Sequence, residues 1–336
     1  MIKCFIIENQ PSDKAEWNKL CQENSNFLQS THFDSVQNYF NEIPIYFEVR
    51  LNDQLIGGVK LYFWQSRRVK IILSKLSKTI SQNSEFLVTD HYPQMEVIKF
   101  LNDEIELFIK KKEIVSFQGT SFYGSPHLIF KSSKKFFKTN KIGIGFLNLN
   151  RSLDDIVKAF HGKHRNSLNK SQKSELYFSE STNSADIIEL MKFTYSNQQA
   201  SPNFGFVQHA IETILETGKG KIFVIRDGNQ NLISSAFIQI FGKKADYTFG
   251  GNVPNKHGAG QLLQFQIIKE LKKLNIEVYS LGQISIDKEI LNEKFVIGIT
   301  RFKLRFGAEI LDGKIELYIL KPFYYFLFNW LKKRFI

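Results

Sequence analysis

Apolar and polar positions along the chain follow two different periods, and the points where the period changes mark its elements. In "PSDKAEWNKL", Asp13 stands three residues before Glu16, a capping-box pattern that starts a helix running to about Asn24; a second helix is expected from Thr31. "IPIYFEVRLNDQLIGGVKLYFW" switches to strand periodicity and breaks at Asn52-Asp53, which predicts a hairpin. Gly57 and Gly58 in its second arm predict a bulge or a close backbone approach. From Lys221, "KIFVIRDGNQNLISSAFIQIFGKKADYTFGG" predicts another hairpin and a third strand after "GKK".

The two hairpins share a pattern. Val49, Arg50, a turn, Leu55 and Ile56 in the first answer to Ile225, Arg226, a turn, Leu232 and Ile233 in the second, about 176 residues later. The Arg-to-Leu spacing differs by one residue, so the repeat is a weak one, and it predicts two domains of one design. A strand ending near Asn150 gives way to a helix capped by Ser152, which puts the boundary at about residue 150. In the second half, "HGAGQLLQFQIIKELKKLN" has apolar residues at 262, 263, 267, 268, 271 and 274, a helix, before the strand "IEVYSL". "FGAEILDGKIELYIL" predicts a hairpin turning at Asp312-Gly313, and "KPFYYFLFNWLKKRFI" closes the chain. Strand, glycine turn, helix and strand in succession give an α/β (α+β) class.

Length changes this picture little: 336 residues suit two domains. A 43% hydrophobic share with 32 Phe excludes a disordered chain. The formal charge of +12 favours an anionic partner, such as nucleic acid, a phosphorylated small molecule or a membrane surface. An excess of lysine throughout a Lys-, Asn-, Ile- and Phe-rich chain gives the same number, so charge does not choose among them. Two cysteines, Cys4 and Cys21, cannot build a disulfide framework or a zinc cluster. "MIKCFIIENQ" breaks too early for an export signal and no stretch is apolar enough to span a bilayer, so a cytoplasmic protein is expected.

Four segments carry candidate chemistry. "GGNVPNKHGAGQLL" places Gly258 and Gly260 at the mouth of a helix, where free N–H groups and the helix dipole suit a phosphate, with Asn255 as a polar neighbour; a plain glycine-rich helix start reads equally well. "HGKHRNSLNKSQKS" gathers Lys163, Arg165 and further bases that suit a polyanion, although a solvated face is the commoner reason for such a run. His161 and His164 lack a third ligand, and no metal site is expected. The tail from Phe323 to Arg334 sets aromatic residues beside Lys332 and Lys333, which suits an anionic membrane surface or, equally, a terminal helix docked on the body. Finally, "GITRFKLRFGAEI" holds Lys303 between Phe302 and Phe306.

Taken in order, "FLQSTHF", "LIGGVKLYF", "HGKHRNSLNKSQKS", "GGNVPNKHGAGQLLQFQIIKEL" and "GITRFKLRFGAEI" resemble the FemAB-like family of the GNAT superfamily, whose members include the aminoacyl-tRNA-dependent enzymes that build peptidoglycan cross-bridges. The resemblance covers most of the chain. It implies two tandem GNAT-like domains, each a mixed, mostly antiparallel sheet flanked by helices: residues 1–150, residues 151–315, and a tail, 316–336, that returns to the first domain. It also implies transfer of an acyl or aminoacyl group to an amine of a cell-envelope precursor, with no bound cofactor and with aminoacyl-tRNA or acyl-CoA as co-substrate. The family's motif lysine maps onto Lys303, where a fixed cation would stabilise the oxyanion that develops as an amine attacks an ester.

The chain departs from the pattern in three places. Gln37 stands where armless members carry a diphosphate-holding lysine, an expected arginine is missing from "SPNFGFVQHAIET", and Tyr279-Ser280 replaces a Tyr-Asp pair. These departures count against a muropeptide acceptor. Two alternatives remain open. One keeps the fold with acyl-CoA as donor and an amino sugar of a surface polysaccharide as acceptor; the other is a non-enzymatic basic protein that binds nucleic acid or membrane.

Overall fold

A computed structural model describes residues 2–65, 75–121, 136–196, 202–253, 258–284 and 294–335. The chain forms two units, Met1–Ile142 with Asp312–Ile336 and Gly143–Leu311. In the first, β1 (Ile2–Glu8), α1 (Lys14–Glu23), α2 (His32–Gln37), β2 (Ile43–Leu51), β3 (Gln54–Trp64), β4 (Thr79–Gln82), β5 (Leu87–Val88), α3 (Gln94–Lys112) and β6 (Ser116–Ser121) are joined by β13 (Glu309–Ile319) and α10 (Pro322–Phe335) from the far end of the chain. The sheet order is β1-β2-β3-β4-β6-β13, with β5 beside β3. Only β4 and β6 run parallel among these pairs.

The second unit contains β7 (Phe136–Asn148), α4 (Leu153–Ala159), α5 (Gly162–Ser171), β8 (Leu176–Ser181), α6 (Ala185–Tyr195), α7 (Phe204–Glu216), β9 (Gly220–Asp227), β10 (Leu232–Phe241), β11 (Lys244–Asn252), α8 (Ala259–Lys273), β12 (Val278–Ile284) and α9 (Lys294–Leu304). Its order is β8-β9-β10-β11-β12-β7, and only β11 and β12 run parallel. Each unit thus has the same plan. Across each sheet, four antiparallel strands come first, a crossover helix, α3 or α8, leads to a fifth strand parallel to the fourth, and a sixth, β13 or β7, is antiparallel to the fifth.

Local chemistry repeats with the topology. Arg50 at the end of β2 reaches Glu16 on α1 at 2.6 Å and the carbonyl of Asp53 at 2.7 Å. Arg226 at the end of β9 reaches Asp186 on α6 at 3.1 Å and the carbonyl of Gln230 at 3.3 Å. In both, an arginine at the end of the hairpin's first strand ties it to a helix that precedes the hairpin in the chain, α1 or α6.

The expected helix starts and turns have clear causes. The Asp13 carboxylate accepts from the N–H groups of Ala15 (2.7 Å) and Glu16 (3.1 Å), a cap worth about 1 kcal/mol. Glu16 does not reach back to complete a capping box, because its carboxylate holds Arg50 and the Leu55 N–H. Asn52 and Asp53 both have positive φ (49° and 66°), which gives the two-residue hairpin turn whose twist suits its strands. A Cβ on Gly57 would lie 2.7 Å from the Leu87 carbonyl oxygen, and one on Gly58 would meet Trp17 at the same distance, so both glycines serve close approach. The register shift falls one step earlier, between Val49 and Arg50 of the opposite strand.

The expected turn at Asp312-Gly313 does not form. Both residues lie inside β13, which pairs with β6 from Lys314↔Ser121 to Ile319↔Ser116. The strand runs unbroken from Glu309 to Ile319, and its ladder with β6 begins at Lys314, directly after the expected turn, so tertiary pairing outweighs the local turn signal. Cores in both units follow the predicted periods: Val97, Ile98, Leu101, Ile105 and Phe108 of α3 pack on Phe47, Val59 and Leu61, while Leu263, Ile267, Ile268 and Leu271 of α8 pack on Phe223, Ile225 and Ile238. Each such side chain contributes on the order of 1.5–3 kcal/mol by leaving water.

Candidate functional site

In the second unit, β11 and β12 run together only from Lys244↔Val278 to Asp246↔Ser280. Beyond Ser280, β12 shifts register and continues along β7 (Gly282↔Gly145 to Ile284↔Gly143), whereas β11 stays with β10 as far as Asn252↔Ser234. The parallel strands therefore part at their carboxyl ends, the place where open α/β sheets receive ligands. Gly282 makes the shift with φ +77°, and a Cβ there would stand 3.2 Å from the Tyr247 carbonyl oxygen and 3.4 Å from Lys303 Nζ.

Lys303, in the last turn of α9, is half-buried and donates from Nζ to the carbonyl oxygen of Gln283 at 2.9 Å. Burial lowers its pKa from the ordinary 10.5 to about 8, so at pH 7 the group is still mostly an ammonium. Three N–H bonds are available on that ammonium, and the Gln283 carbonyl takes one.

The basic helix α5 holds this lysine's neighbours in place. His164 is buried, and its Nε2 lies 3.0 Å from the carbonyl oxygen of Phe302, so that nitrogen carries the proton and donates. Desolvation lowers the His164 pKa to about 4, leaving a neutral ring. That ring packs on Phe306 (centroids 4.5 Å apart) and Phe302 (5.4 Å), and Phe160 meets Phe306 edge-on at 5.1 Å. The His161 N–H donates to the Arg305 carbonyl at 2.8 Å. Gly307 closes the segment at φ +73°, where a Cβ would lie 2.7 Å from the Ala159 carbonyl oxygen. The two phenylalanines and the glycine of the Phe-Lys-x-x-Phe-Gly stretch thus fasten it to the α4–α5 corner, with the lysine left to face the parting strands.

The same helix meets the glycine turn. Gly258 has φ +76°, and a Cβ on it would fall 2.6 Å from the Ser167 carbonyl oxygen; one on Gly260 would fall 2.8 Å from Asn252 Oδ1. Both glycines let α8 start against α5 and the end of β11, a packing role independent of any anion. Asn255 lies outside the described residues. Lys163 is exposed, with its backbone N–H bound to His161 Nδ1 at 3.2 Å. Arg165 donates to the carbonyl oxygens of Lys158 (2.9 Å) and Phe160, the free carbonyls at the end of α4, so part of its donor set is spent on the fold. Helix α5 therefore links the glycine turn to the lysine motif, although the two are far apart in sequence.

Two clusters in the first unit carried no sequence signal. Lys60, fully buried on β3, donates to the Ser30 carbonyl (2.5 Å) and to Asp34 (2.7 Å), and Asp34 also accepts from the Tyr62 hydroxyl (2.8 Å) and that of Tyr46. Beside this network is a cavity of about 480 Å³ bordered by Glu42, Tyr62, Ser81, Gln118 and Tyr325 among others. Helix α10 adds Tyr325 to it and docks Phe328 on Trp64 (6.2 Å), whereas Phe323, Phe326 and Trp330 on the opposite face are exposed. Among the described residues no helix is long and apolar enough to cross a membrane.

No family model matches the sequence, and no curated protein does. Among solved structures, the chain is similar to FemX, with a TM-score of 0.71 over 96% of this chain and 99% of that one at 13% identity. It is also similar to the L-PGS of Bacillus licheniformis, with a TM-score of 0.57 at 11% identity over 96% and 97% of the two chains. A tandem GNAT protein from the clavulanic acid biosynthesis pathway gives 0.51 at 11% identity over 94% and 98%. Likeness at such identities concerns architecture, and with the repeated strand plan it makes this chain a tandem GNAT fold of the kind seen in FemX.

Proposed function

We propose that the chain is an N-acyl- or aminoacyltransferase that moves its group onto an amine of a cell-envelope precursor, with Lys303 as the electrostatic catalyst. The carrying observation is the half-buried Lys303 ammonium at the parting of β11 and β12, held by Gln283 and by a segment that His164, Phe302 and Phe306 keep rigid. Attack of an amine on an ester places negative charge on the carbonyl oxygen, and a fixed cation in a partly desolvated site stabilises that charge more than water does. FemX-like architecture supports the same reading. Lys163 and Arg165, on the helix that carries His164, are the proposed grip on a polyanionic donor such as an aminoacyl-tRNA. The test is the single-turnover transfer rate of Lys303→Ala. A fall of 100-fold or more is expected; a rate within tenfold of the parent, about 1.4 kcal/mol, refutes the catalytic role.

A second reading replaces the donor by acyl-CoA and the acceptor by an amino sugar. It is favoured by the start of α8, where Gly258, Ala259 and Gly260 stand at the positive end of the helix dipole. Calorimetric titration with acetyl-CoA and with a charged tRNA separates the donors, since binding of CoA alone selects this alternative. Under either reading, Phe323, Phe326 and Trp330 are the proposed contact with a membrane surface.

A further inference from the structure

The cavity of the first unit has a floor built by strand register. Tyr62 on β3 lies opposite Ser81 on β4, Ser81 opposite Gln118 on β6, and Gln118 opposite Leu317 on β13, so one row of side chains crosses four strands on one face. Glu42, at the entrance to β2, and Tyr325, on α10, stand at its walls. The volume, about 480 Å³, is that of a site for a small organic ligand.

Charge distinguishes this cavity from a phosphate site. Among its described lining residues there is no Lys, Arg or His; Glu42 supplies the one carboxylate, with amides, hydroxyls and aromatic rings around it. Where the family resemblance would set a diphosphate-holding lysine, Gln37 lines the wall. Glu42 has no hydrogen-bond or ion-pair partner among the described residues, and desolvation alone raises its pKa from 4.5 to about 7. A carboxylate with no cation partner among the described residues, in a cavity that Tyr62 and Tyr325 also line, suits an ammonium group, through an ion pair and through the attraction of aromatic rings for cations. The cation already present nearby does not fill this role. Lys60 is consumed by Asp34 behind Tyr62, with its Nζ 5.0 Å from the centre of that ring.

We infer that this cavity is a binding site for a primary ammonium group on a short carbon chain or sugar, with Glu42 as its counter-ion. The identification of that ligand with the acceptor amine rests on the transferase reading above; the binding site itself does not. An ammonium seated beside Glu42 ionises the carboxyl and releases its proton to solvent, so affinity rises with pH up to the pKa of the ligand.

The experiment uses n-pentylamine hydrochloride, n-pentanol and sodium pentanoate as probes of the full chain, by saturation-transfer NMR and titration at pH 7.5. The amine is expected to bind at least tenfold tighter than the alcohol, and pentanoate not to compete. Glu42→Gln should erase the preference for the amine. Equal binding of amine and alcohol, or a preference that survives Glu42→Gln, overturns the inference. A pH series on the unmodified chain tests the same point without relying on the variant's folding: amine affinity should fall at least tenfold from pH 8 to pH 5.5, and a flat profile overturns it. Burial and the neighbouring Asp34 push the Tyr62 hydroxyl well above its ordinary value, so it does not titrate in that range, and Asp34 is paired with Lys60. The same titration on Lys303→Ala separates the two proposals. Retained ammonium preference with unimpaired transfer rejects Lys303 and keeps the cavity; impaired transfer with no Glu42 dependence does the reverse.

Discussion

Replacing Lys303 by Met asks whether the lysine is kept for the fold or against it. Burial lowers its pKa from 10.5 to about 8, and 2.5 units at 1.36 kcal/mol each set an upper bound of about 3 kcal/mol for the cost of keeping the ammonium in place. The side chain is only half-buried, so solvent screening reduces the expected penalty to about 1–2 kcal/mol. The sign follows from proton binding. Between pH 8 and 10.5 the unfolded lysine holds its proton more tightly than the folded one, so stability rises with pH across that window, and the penalty is complete below it. Lys303→Met preserves the volume of the stem and removes the charge. Urea unfolding should therefore find the variant about 1–2 kcal/mol more stable than the parent at pH 7, with an unchanged m-value, and the gap should close by pH 10.5. A parent as stable as the variant at pH 7, or a gap independent of pH, would mean that the bond to Gln283 makes the lysine a structural residue, and the electrostatic argument would fail.

Other outcomes follow from the same geometry. His164 has its pKa lowered from 6.5 to about 4, so the folded state binds fewer protons than the unfolded between those values. The parent should lose up to about 3 kcal/mol as pH falls from 7 to 4, and urea midpoints of His164→Gln should lack that component. Gly258→Ala forces a Cβ into the left-handed region and onto the Ser167 carbonyl, and should cost about 2–4 kcal/mol in thermal or urea unfolding. Gly260→Ala meets only the rotatable Asn252 side chain, and should cost about 1 kcal/mol. Serine at Phe323, Phe326 and Trp330 together should abolish sedimentation with anionic vesicles while leaving unfolding unchanged; unaltered partitioning would remove the tail from any membrane role.

Local signals proved legible where local chemistry decides. Asp13 caps α1, Asn52-Asp53 turns β2 into β3, and the paired hairpins carry matching arginines, because each of these depends on residues a few positions apart. Asp312-Gly313 misleads for the opposite reason: the strand it belongs to pairs, from Lys314 on, with β6, which lies nearly two hundred residues earlier. The site divides in the same way. Lys303 is marked by its motif, yet its acceptor Gln283 and the helix that steadies it are set by tertiary packing. His164 reads in sequence as one more base in a charged run, and its bond to Phe302 spans 138 residues. Glu42 gives no signal at all, since its surroundings are assembled from strand residues that no local pattern connects.

The strand order also constrains how the protein is made. The first unit's sheet is completed by β13, so β6 keeps an unpaired edge until about residue 319 has left the ribosome, whereas the strands β7 to β12 of the second unit all lie before residue 285. Synthesis from the N-terminus therefore reverses the usual order, with the later half able to mature first and the earlier half waiting on the last strand. During that wait β6 is a template for intermolecular pairing. A nascent chain stopped before Asp312 would be released with its first unit open, so chaperone capture and aggregation of this protein should concentrate on translation products that end between its two units' last strands.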